Sequence, residues 1–320
     1  MVVDEHELTL SAQVGIVTFP TCDEVQSLSD LMSNANLALS RAKGPGSKGG
    51  HYYRSYMRSA ANMQQRLAQD LHGALAKGEL RLLLQPLYQL ATGKIVGCEA
   101  LLRWQHPEFG LLVPSRFLSI AAEMGIMPNI NAWVLATAGQ HIQALETAGH
   151  NSQYIAVNIP AAEFTSLSFA DNVIHMLTEH VVSPQQLMLE VTEHELIDDL
   201  PAAAAAMQSL RDAGTRIAID DFGTGYASLR YLSQLPIDKL KIDRSFIDDI
   251  ATNKEHLTIV RSIIDMANKL GVSVLAEGVE TQEQHKALVA LGCEHAQGFY
   301  YNGLVSLTHF LDLLALENKK

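Results

Sequence analysis

Residues 216–225 read Arg216-Ile217-Ala218-Ile219-Asp220-Asp221-Phe222-Gly223-Thr224-Gly225. An apolar strand pattern stops abruptly in two adjacent carboxylates, and a loop with two glycines follows. Like charges side by side where a buried strand ends need a counter-charge or a ligand. The same kind of apolar run recurs along the chain, at 80–90 (LRLLLQPLYQL), 94–104 (KIVGCEALLRW), 154–159 (YIAVNI), 187–192 (LMLEVT), 239–243 (KLKID), 273–278 (SVLAEG) and 296–301 (AQGFYY). Helix-like segments such as 131–149 and 258–271 separate nearly all of these runs. Strands alternating with helices predict a mostly parallel sheet. Eight such strands over this length predict an α/β fold, a (β/α)8 barrel of the TIM type.

The first two strands break the rhythm. Only the turn ATGK separates them, and a parallel crossover needs about a dozen residues. The first strand is therefore expected to run antiparallel to the second. Upstream, GPGSKGG at 44–50 is the clearest break in composition. A strand pattern at 8–19 and a helix pattern at 25–43 precede it, too little to close a core alone. The expected organisation is a small α+β fragment over 1–53, a connecting helix over 54–78 leading into the barrel, and the barrel domain over 62–318.

The chain has 320 residues, 48% of them hydrophobic and 18% charged, with net charge −12. Such a chain can bury a large core, and its charge disfavours DNA and anionic membrane unless cations gather locally. Cys22, Cys98 and Cys293 are widely spaced and form no CxxC pair, which suits a reducing compartment. No run of eighteen apolar residues occurs and no signal-peptide pattern opens the chain, so a cytoplasmic location without membrane contact is expected. A longer parent protein could still be membrane-anchored.

Barrel strands are ordinarily runs of Val, Ile and Leu. Here polar residues interrupt them or end them: Glu99, Asn158, Glu190, Asp220, Asp221, Lys241, Asp243, Glu277 and Gln297. Taken singly, each reads most simply as a cap or a rim residue. Asp243, followed by Arg244, has that reading as a local cap or ion pair. Jointly they gather at the strand ends where barrels build their sites. Several unpaired carboxylates converging there would cost several kcal/mol each, and one lysine cannot neutralise them. Oxygen donors and an amide, without clustered His or Cys, suit Mg2+ or Mn2+ rather than a structural zinc. Two adjacent carboxylates can serve two adjacent ions, the arrangement that cleaves phosphodiesters by in-line attack. Asp220 and Asp221 point to opposite faces of a strand, so they share a site only if the chain turns. Phe222-Gly223-Thr224-Gly225 is expected to supply that turn.

Over residues 62–318 the chain resembles the EAL family of cyclic di-GMP phosphodiesterases. Glu99-Ala100-Leu101 is the name-giving triplet, and VNIP (157–160), LEVTE (189–193), DDFGTGYASL (220–229), LKID (240–243), AEGVE (276–280) and QGF (297–299) follow in order. The resemblance implies metal ligation by Glu99, Asn158, Glu190 and Asp220, with Asp220 bridging to a second ion held by Asp221. Lys241 would position the attacking water, and Glu277 and Gln297 would complete the metal and water shell. Glu193 would brace the loop after Asp221. Gln85, Arg103, Asp243 and Glu280 would serve the dinucleotide, with Arg103 suited to phosphate. The implied reaction opens cyclic di-GMP to pGpG with Mg2+ or Mn2+ and is inhibited by Ca2+. The other reading is a catalytically silent receptor for the same ligand. One departure is visible: YYNGLVS (300–306) lacks the proline that usually follows QGF.

SAQVGIVTFP (11–20) and ANLALSRAK (35–43) resemble the last third of a GGDEF diguanylate cyclase domain. That family's signature loop is absent, so residues 1–53 are not expected to form cyclic di-GMP. The family also implies a homodimer packed near 226–236, where Tyr226, Leu229, Tyr231 and Leu232 are available. Those side chains could equally pack on the barrel.

Overall fold

The computed structural model describes residues 2–3, 6–7, 12–18, 27–43, 49–166, 168–193, 200–224, 232 and 234–317. It divides into two compact units, residues 1–77 with 115–126, and residues 78–114 with 127–320.

In the first unit, β1 (Val2–Val3) pairs antiparallel with β2 (His6–Glu7), and β3 (Val14–Ile16) pairs parallel with β4 (Gly50–Tyr52). Helix α1 (Leu28–Ala42) begins at Ser27, whose hydroxyl accepts the Asp30 amide, a standard helix start. Ala38 of α1 packs with Tyr53 and with Met57 of α2 (Ser55–Ala74). Helix α2 lies where a connecting helix is expected over 54–78, but it groups with this unit and not with the barrel strands; the unit also takes the short α3 (Leu118–Glu123).

The second unit is a closed barrel. Its eight staves are β5 (Leu80–Gln89), β6 (Ile95–His106), β8 (Tyr154–Asn158), β9 (Leu187–Thr192), β10 (Arg216–Phe222), β11 (Lys239–Ile242), β12 (Ser273–Ala276) and β13 (His295–Ala296). β7 (Gly110–Leu112) extends β6 as a hairpin. β5 runs antiparallel to both neighbours, β6 and β13, and the remaining barrel pairs are parallel. The cause is the short turn after Gln89, closed by the Gln89 amide on the Lys94 carbonyl at 2.9 Å, with Gly93 left-handed at φ 68°. Helices such as α4 (Met127–Thr147), α5 (Phe169–Glu179) and α6 (Leu200–Asp212) bury one face each, so the strands are covered on both sides.

An apolar layer of Leu87, Tyr154, Ala156, Met188, Ala218 and Leu275 fills the lower barrel. Side chains two apart on a strand share a face. The next inward residue after Ala156 is Asn158, after Met188 Glu190, after Ala218 Asp220, and after Leu275 Glu277. The polar set therefore lies as one layer on top of an apolar plug, at the C-terminal ends of the parallel strands.

Five strands end earlier than the sequence implies, and two of them have a visible cause. The eighth, expected over 296–301, covers only His295–Ala296. Gly298 adopts φ 154° against Val279, whose carbonyl would lie 2.0 Å from an added Cβ. That close approach turns the chain out of the sheet directly after Gln297. The sixth stops at Ile242, because Asp243 caps the helix Arg244–Ile247 by accepting the Ser245 amide at 3.0 Å.

Below the plug, the buried Lys239 ammonium lies 3.2 Å from His295 Nδ1 and 5.3 Å from the Tyr154 ring centre. Burial lowers the Lys239 pKa to about 8. Between that value and about 10.4, the unfolded chain holds a proton there that the folded chain has shed, so stability rises with pH across this window. Lys239→Met is expected to remove this rise and to be more stable at pH 7 by at most about 3 kcal/mol. Denaturant unfolding of both proteins from pH 7 to 10 checks it through their difference.

Candidate functional site

Lys241 is fully buried at the centre of the polar layer. Its Nζ lies 2.6 Å from Glu190 Oε2, 2.8 Å from Glu277 Oε1, 3.1 Å from Asp220 Oδ1 and 3.5 Å from Glu99 Oε2. Amides complete the ring. Asn158 Nδ2 donates to Glu99 Oε1 at 2.7 Å, and Gln297 Nε2 donates to Glu99 Oε2 at 2.7 Å and to Glu277 Oε1 at 3.1 Å. Five strands, and the residues directly after two more, thus deliver one connected constellation, as the sequence pattern anticipates.

Asp221 joins it by a route the sequence does not reveal. The pairing of β10 with β11 runs Ile219 to Leu240 and then Phe222 to Ile242, so β10 carries an extra residue. Asp221 takes φ 53° in that bulge, and its amide donates to Asp220 Oδ1 at 2.9 Å. A left-handed residue costs free energy, and aspartate is among the side chains that tolerate it. The chain thus already changes direction at Asp221, ahead of the turn expected at Phe222–Gly225, where Gly223 is also left-handed at φ 99° and Gly225 lies outside the described residues; the bulge brings both carboxylates to one side. Bulges commonly re-aim a side chain in this way.

Two carboxylate triads result, Glu99 with Glu190 and Asp220, and Asp220 with Asp221 and Glu277. Within each, one ligand oxygen per residue lies within 4.8 Å of the others. Asp220 belongs to both. Five carboxylates face one ammonium, and the electrostatics reflect the imbalance. Burial alone would lower the Lys241 pKa, but Asp220, Glu190, Glu277 and Glu99 hold it well above the usual range. Burial, reinforced by Glu99 and Asp220, pushes Glu190 up despite Lys241. Burial also lifts Glu277 to about 8, and burial with Asp220 and Asp243 raises Asp221. The site holds more negative charge than its own lysine can balance, so it takes up protons or cations.

The residues fit hard divalent cations. The donors are oxygens, and Gln297 Oε1 is buried without a hydrogen-bond partner although the same amide's nitrogen is fully engaged. An acceptor left open beside two carboxylate triads suits a cation or its water.

Glu193 Oε2 accepts the Gly223 amide at 2.9 Å, which ties the end of β9 to the loop after Asp221. The Thr224 hydroxyl instead donates to the Asp221 carbonyl at 2.8 Å. Gly223 is solvent-exposed, so water can replace the carboxylate in Glu193→Ala. We expect that variant to lose roughly tenfold or more in kcat and to need more Mg2+ for half-activity, with thermal stability nearly unchanged. A helix-cap role would instead lower stability by about 0.5–2 kcal/mol with little change in turnover. The melting temperature and the Mg2+ dependence of the rate, measured together, separate the two.

Of the residues expected at the dinucleotide, two lie on the β5–β6 ribbon. Gln85 stands directly opposite Glu99 in the β5–β6 register, and Arg103 lies four residues beyond Glu99 on the same face. Glu280 forms an ion pair with Arg244 at 2.9 Å, and Asp243 is occupied as a cap, so both are engaged within the protein. Arg81, opposite Arg103, escapes sequence reasoning. Only the register discloses it, and the ATGK turn that sets the register was its one signal.

A family model described as the EAL domain matches residues 68–303. The chain belongs to the EAL domain family. Within that family it is 39% identical over 297 residues to the bifunctional diguanylate cyclase/cyclic di-GMP phosphodiesterase MucR of Pseudomonas aeruginosa, covering 93% of this chain and 43% of that protein. It is 37% identical over 312 residues to the cyclic di-GMP phosphodiesterase NbdA of the same organism, covering 97% and 40%. The EAL chain thus spans less than half the length of these relatives. A solved structure of the PaMucR phosphodiesterase in complex with c-di-GMP matches with TM-score 0.74 and 39% identity, covering 77% of this chain and 99% of that one. The EAL enzyme Bd1971, bound to cAMP and cyclic di-GMP, matches with TM-score 0.74 and 33% identity, covering 80% and 70%. Among the described residues, no helix of this EAL chain is long and apolar enough to cross a membrane.

Proposed function

We propose that this chain hydrolyses cyclic di-GMP to linear pGpG with two Mg2+ or Mn2+ ions. The observation that carries the reading is the pair of carboxylate triads sharing Asp220 beside a buried, charged lysine. Glu99, Asn158, Glu190 and Asp220 would hold one ion, and Asp220, Asp221, Glu277 and Gln297 would serve the other. Such ions, when bound, neutralise phosphate charge and acidify water.

The protein's own groups do the positioning. Lys241 keeps its proton at Nζ, so it acts as a donor that orients a water and not as a general base. Asn158 and Gln297 fix both oxygens of Glu99. Glu193 steadies the loop that carries Asp221. Gln85 and Arg103 hold the dinucleotide, with Asp243 and Glu280 at its edge.

Residues 1–53 are read as the C-terminal part of a GGDEF-like domain, supported by the alignment of MucR over 93% of the chain. The parent protein would act on a cytoplasmic pool of the dinucleotide. A homodimer near 226–236 belongs to the same proposal. Tyr226, Leu229 and Tyr231 lie outside the described residues, and Leu232 is buried within the chain.

The test is incubation of cyclic di-GMP with the protein in Mg2+, in Mn2+ and in Ca2+, with products resolved by anion exchange and mass by light scattering. Linear pGpG in Mg2+ or Mn2+, with inhibition by Ca2+, is the expected result. Binding without product would make the chain a receptor. Full activity in Ca2+ alone would overturn the two-ion model, because Ca2+ tolerates looser geometry than Mg2+.

A further inference from the structure

The β5–β6 register places Gln85 opposite Glu99, Leu83 opposite Leu101 and Arg81 opposite Arg103. Residues two apart share a face, so both arginines stand on the face that carries Glu99. They stand at the open end of the barrel, because β5 runs antiparallel and begins where β6 is ending. Directly opposed side chains on an antiparallel pair approach to about 4.5–5.5 Å at Cβ, and like charges there destabilise the sheet. A chain of net charge −12 has carboxylates to spare. Yet neither guanidinium forms an ion pair among the described residues; their hydrogen bonds go to backbone carbonyls.

Those carbonyls take only one nitrogen of each arginine. Arg81 Nη1 donates to the Gly78 and Leu80 carbonyls, and Arg103 Nη1 donates to the Leu102 carbonyl at 2.7 Å. A guanidinium has five N–H donors in a fixed fork. Among the described residues, Nε and Nη2 of both arginines have no partner, on side chains tethered through the remaining nitrogen. Arg103 is half-buried, and burial disfavours its charge, which an anion would restore. Two tethered guanidiniums on opposed positions, each with an open fork, suit a phosphate.

We propose that Arg81 and Arg103 together clamp the phosphate of the cyclic dinucleotide that is not being cleaved. The proposal rests on the phosphodiesterase reading above and adds Arg81 to it as a substrate-binding residue. Arg103 lies four residues from Glu99, ~13 Å along the strand. A single phosphate held at the carboxylates does not span that distance, whereas two phosphates joined by a six-bond sugar bridge, with one contact at the acidic centre and one at the guanidinium, do. One phosphate then lies at the acidic centre while the other is anchored on the ribbon, which fixes which of two chemically equivalent bonds is attacked in each encounter.

The test compares the wild type, Arg81→Ala and Arg81→Lys on two substrates in Mg2+. Cyclic di-GMP carries two phosphates, and bis(p-nitrophenyl) phosphate carries one. Arg81→Ala is expected to raise KM for cyclic di-GMP by about tenfold or more with kcat nearly unchanged, as for loss of a charge-assisted contact made equally in ground and transition states. Arg81→Lys recovers part of the loss, because it keeps the charge without the fork. The one-phosphate substrate reacts at the wild-type rate in both variants. The melting temperature of Arg81→Ala is unchanged or higher, since a like-charge opposition is removed. Unchanged KM for cyclic di-GMP, or an equal loss on both substrates, overturns the clamp while leaving the phosphodiesterase reading intact. If the wild type turns over no cyclic di-GMP, equilibrium dialysis in Ca2+ decides. Equal affinity of wild type and Arg81→Ala removes the clamp, and no binding by the wild type removes both proposals.

Discussion

Replacement of Asp220 by asparagine is expected to abolish hydrolysis of cyclic di-GMP, lowering kcat by about 10³-fold or more. Asp220 is the one carboxylate common to both triads. Asparagine keeps the size and can still accept the Asp221 amide, which lies 2.9 Å from Asp220 Oδ1. Only the charge and one anionic ligand are lost. The stability readout has an unusual sign. Without divalent ions the variant should melt at or above the wild-type temperature, since one of five crowded carboxylates is gone. With Mg2+ the order should reverse. A ligand that binds only the folded chain stabilises it by RT ln(1 + [L]/Kd), and that gain should shrink in the variant. Melting curves with and without Mg2+, beside the rate, provide the check. A variant that keeps more than a tenth of wild-type turnover, or the full Mg2+ shift, would remove Asp220 from the bridging role.

The barrel and its polar layer are legible in the sequence because both depend on period and loop length. A two-residue alternation places Glu190 above Met188 and Asp220 above Ala218, and the short turn after Gln89 forces β5 to run antiparallel. What the sequence conceals depends on hydrogen-bond register. The extra residue in β10 is invisible until Phe222 is seen to pair with Ile242, and only then is the left-handed Asp221 explained. The brace from Glu193 to the Gly223 amide was legible as a need of a glycine loop, but its partner was not. The early end of β13 follows from a contact between Gly298 and Val279, residues 19 positions apart that no local pattern links. Arg81 reads as an ordinary exposed strand residue until the β5–β6 register sets it against Arg103. Asp243 illustrates the converse: the simplest reading of its sequence context, a cap before Arg244, is what its side chain does.

Lys241→Met should produce the opposite stability pattern, and the contrast identifies what the lysine does. Methionine retains length and apolar bulk but removes the only ammonium that, among the described residues, pairs with Glu99, Glu190, Asp220 and Glu277. Removing one partner of a buried ionic cluster leaves uncompensated charge, at a cost of roughly 3–5 kcal/mol. Without divalent ions, this variant should therefore melt well below the wild type. Mg2+ should restore much of the loss, because cations become the sole counter-charge, and its Mg2+-induced shift should exceed that of the wild type. Turnover should not return with stability. The Lys241 proton is held throughout the working pH range, and no methionine can orient a water by donation. We expect kcat to stay roughly 10²–10⁴-fold down in saturating Mg2+, with the affinity for cyclic di-GMP in Ca2+ little changed. A Lys241→Met protein that regains near-normal kcat once Mg2+ has restored its melting temperature would reduce the lysine to a counter-ion. One that is refolded by Mg2+, binds the dinucleotide and remains inactive separates charge balance, which a divalent ion can replace, from water positioning, which it cannot.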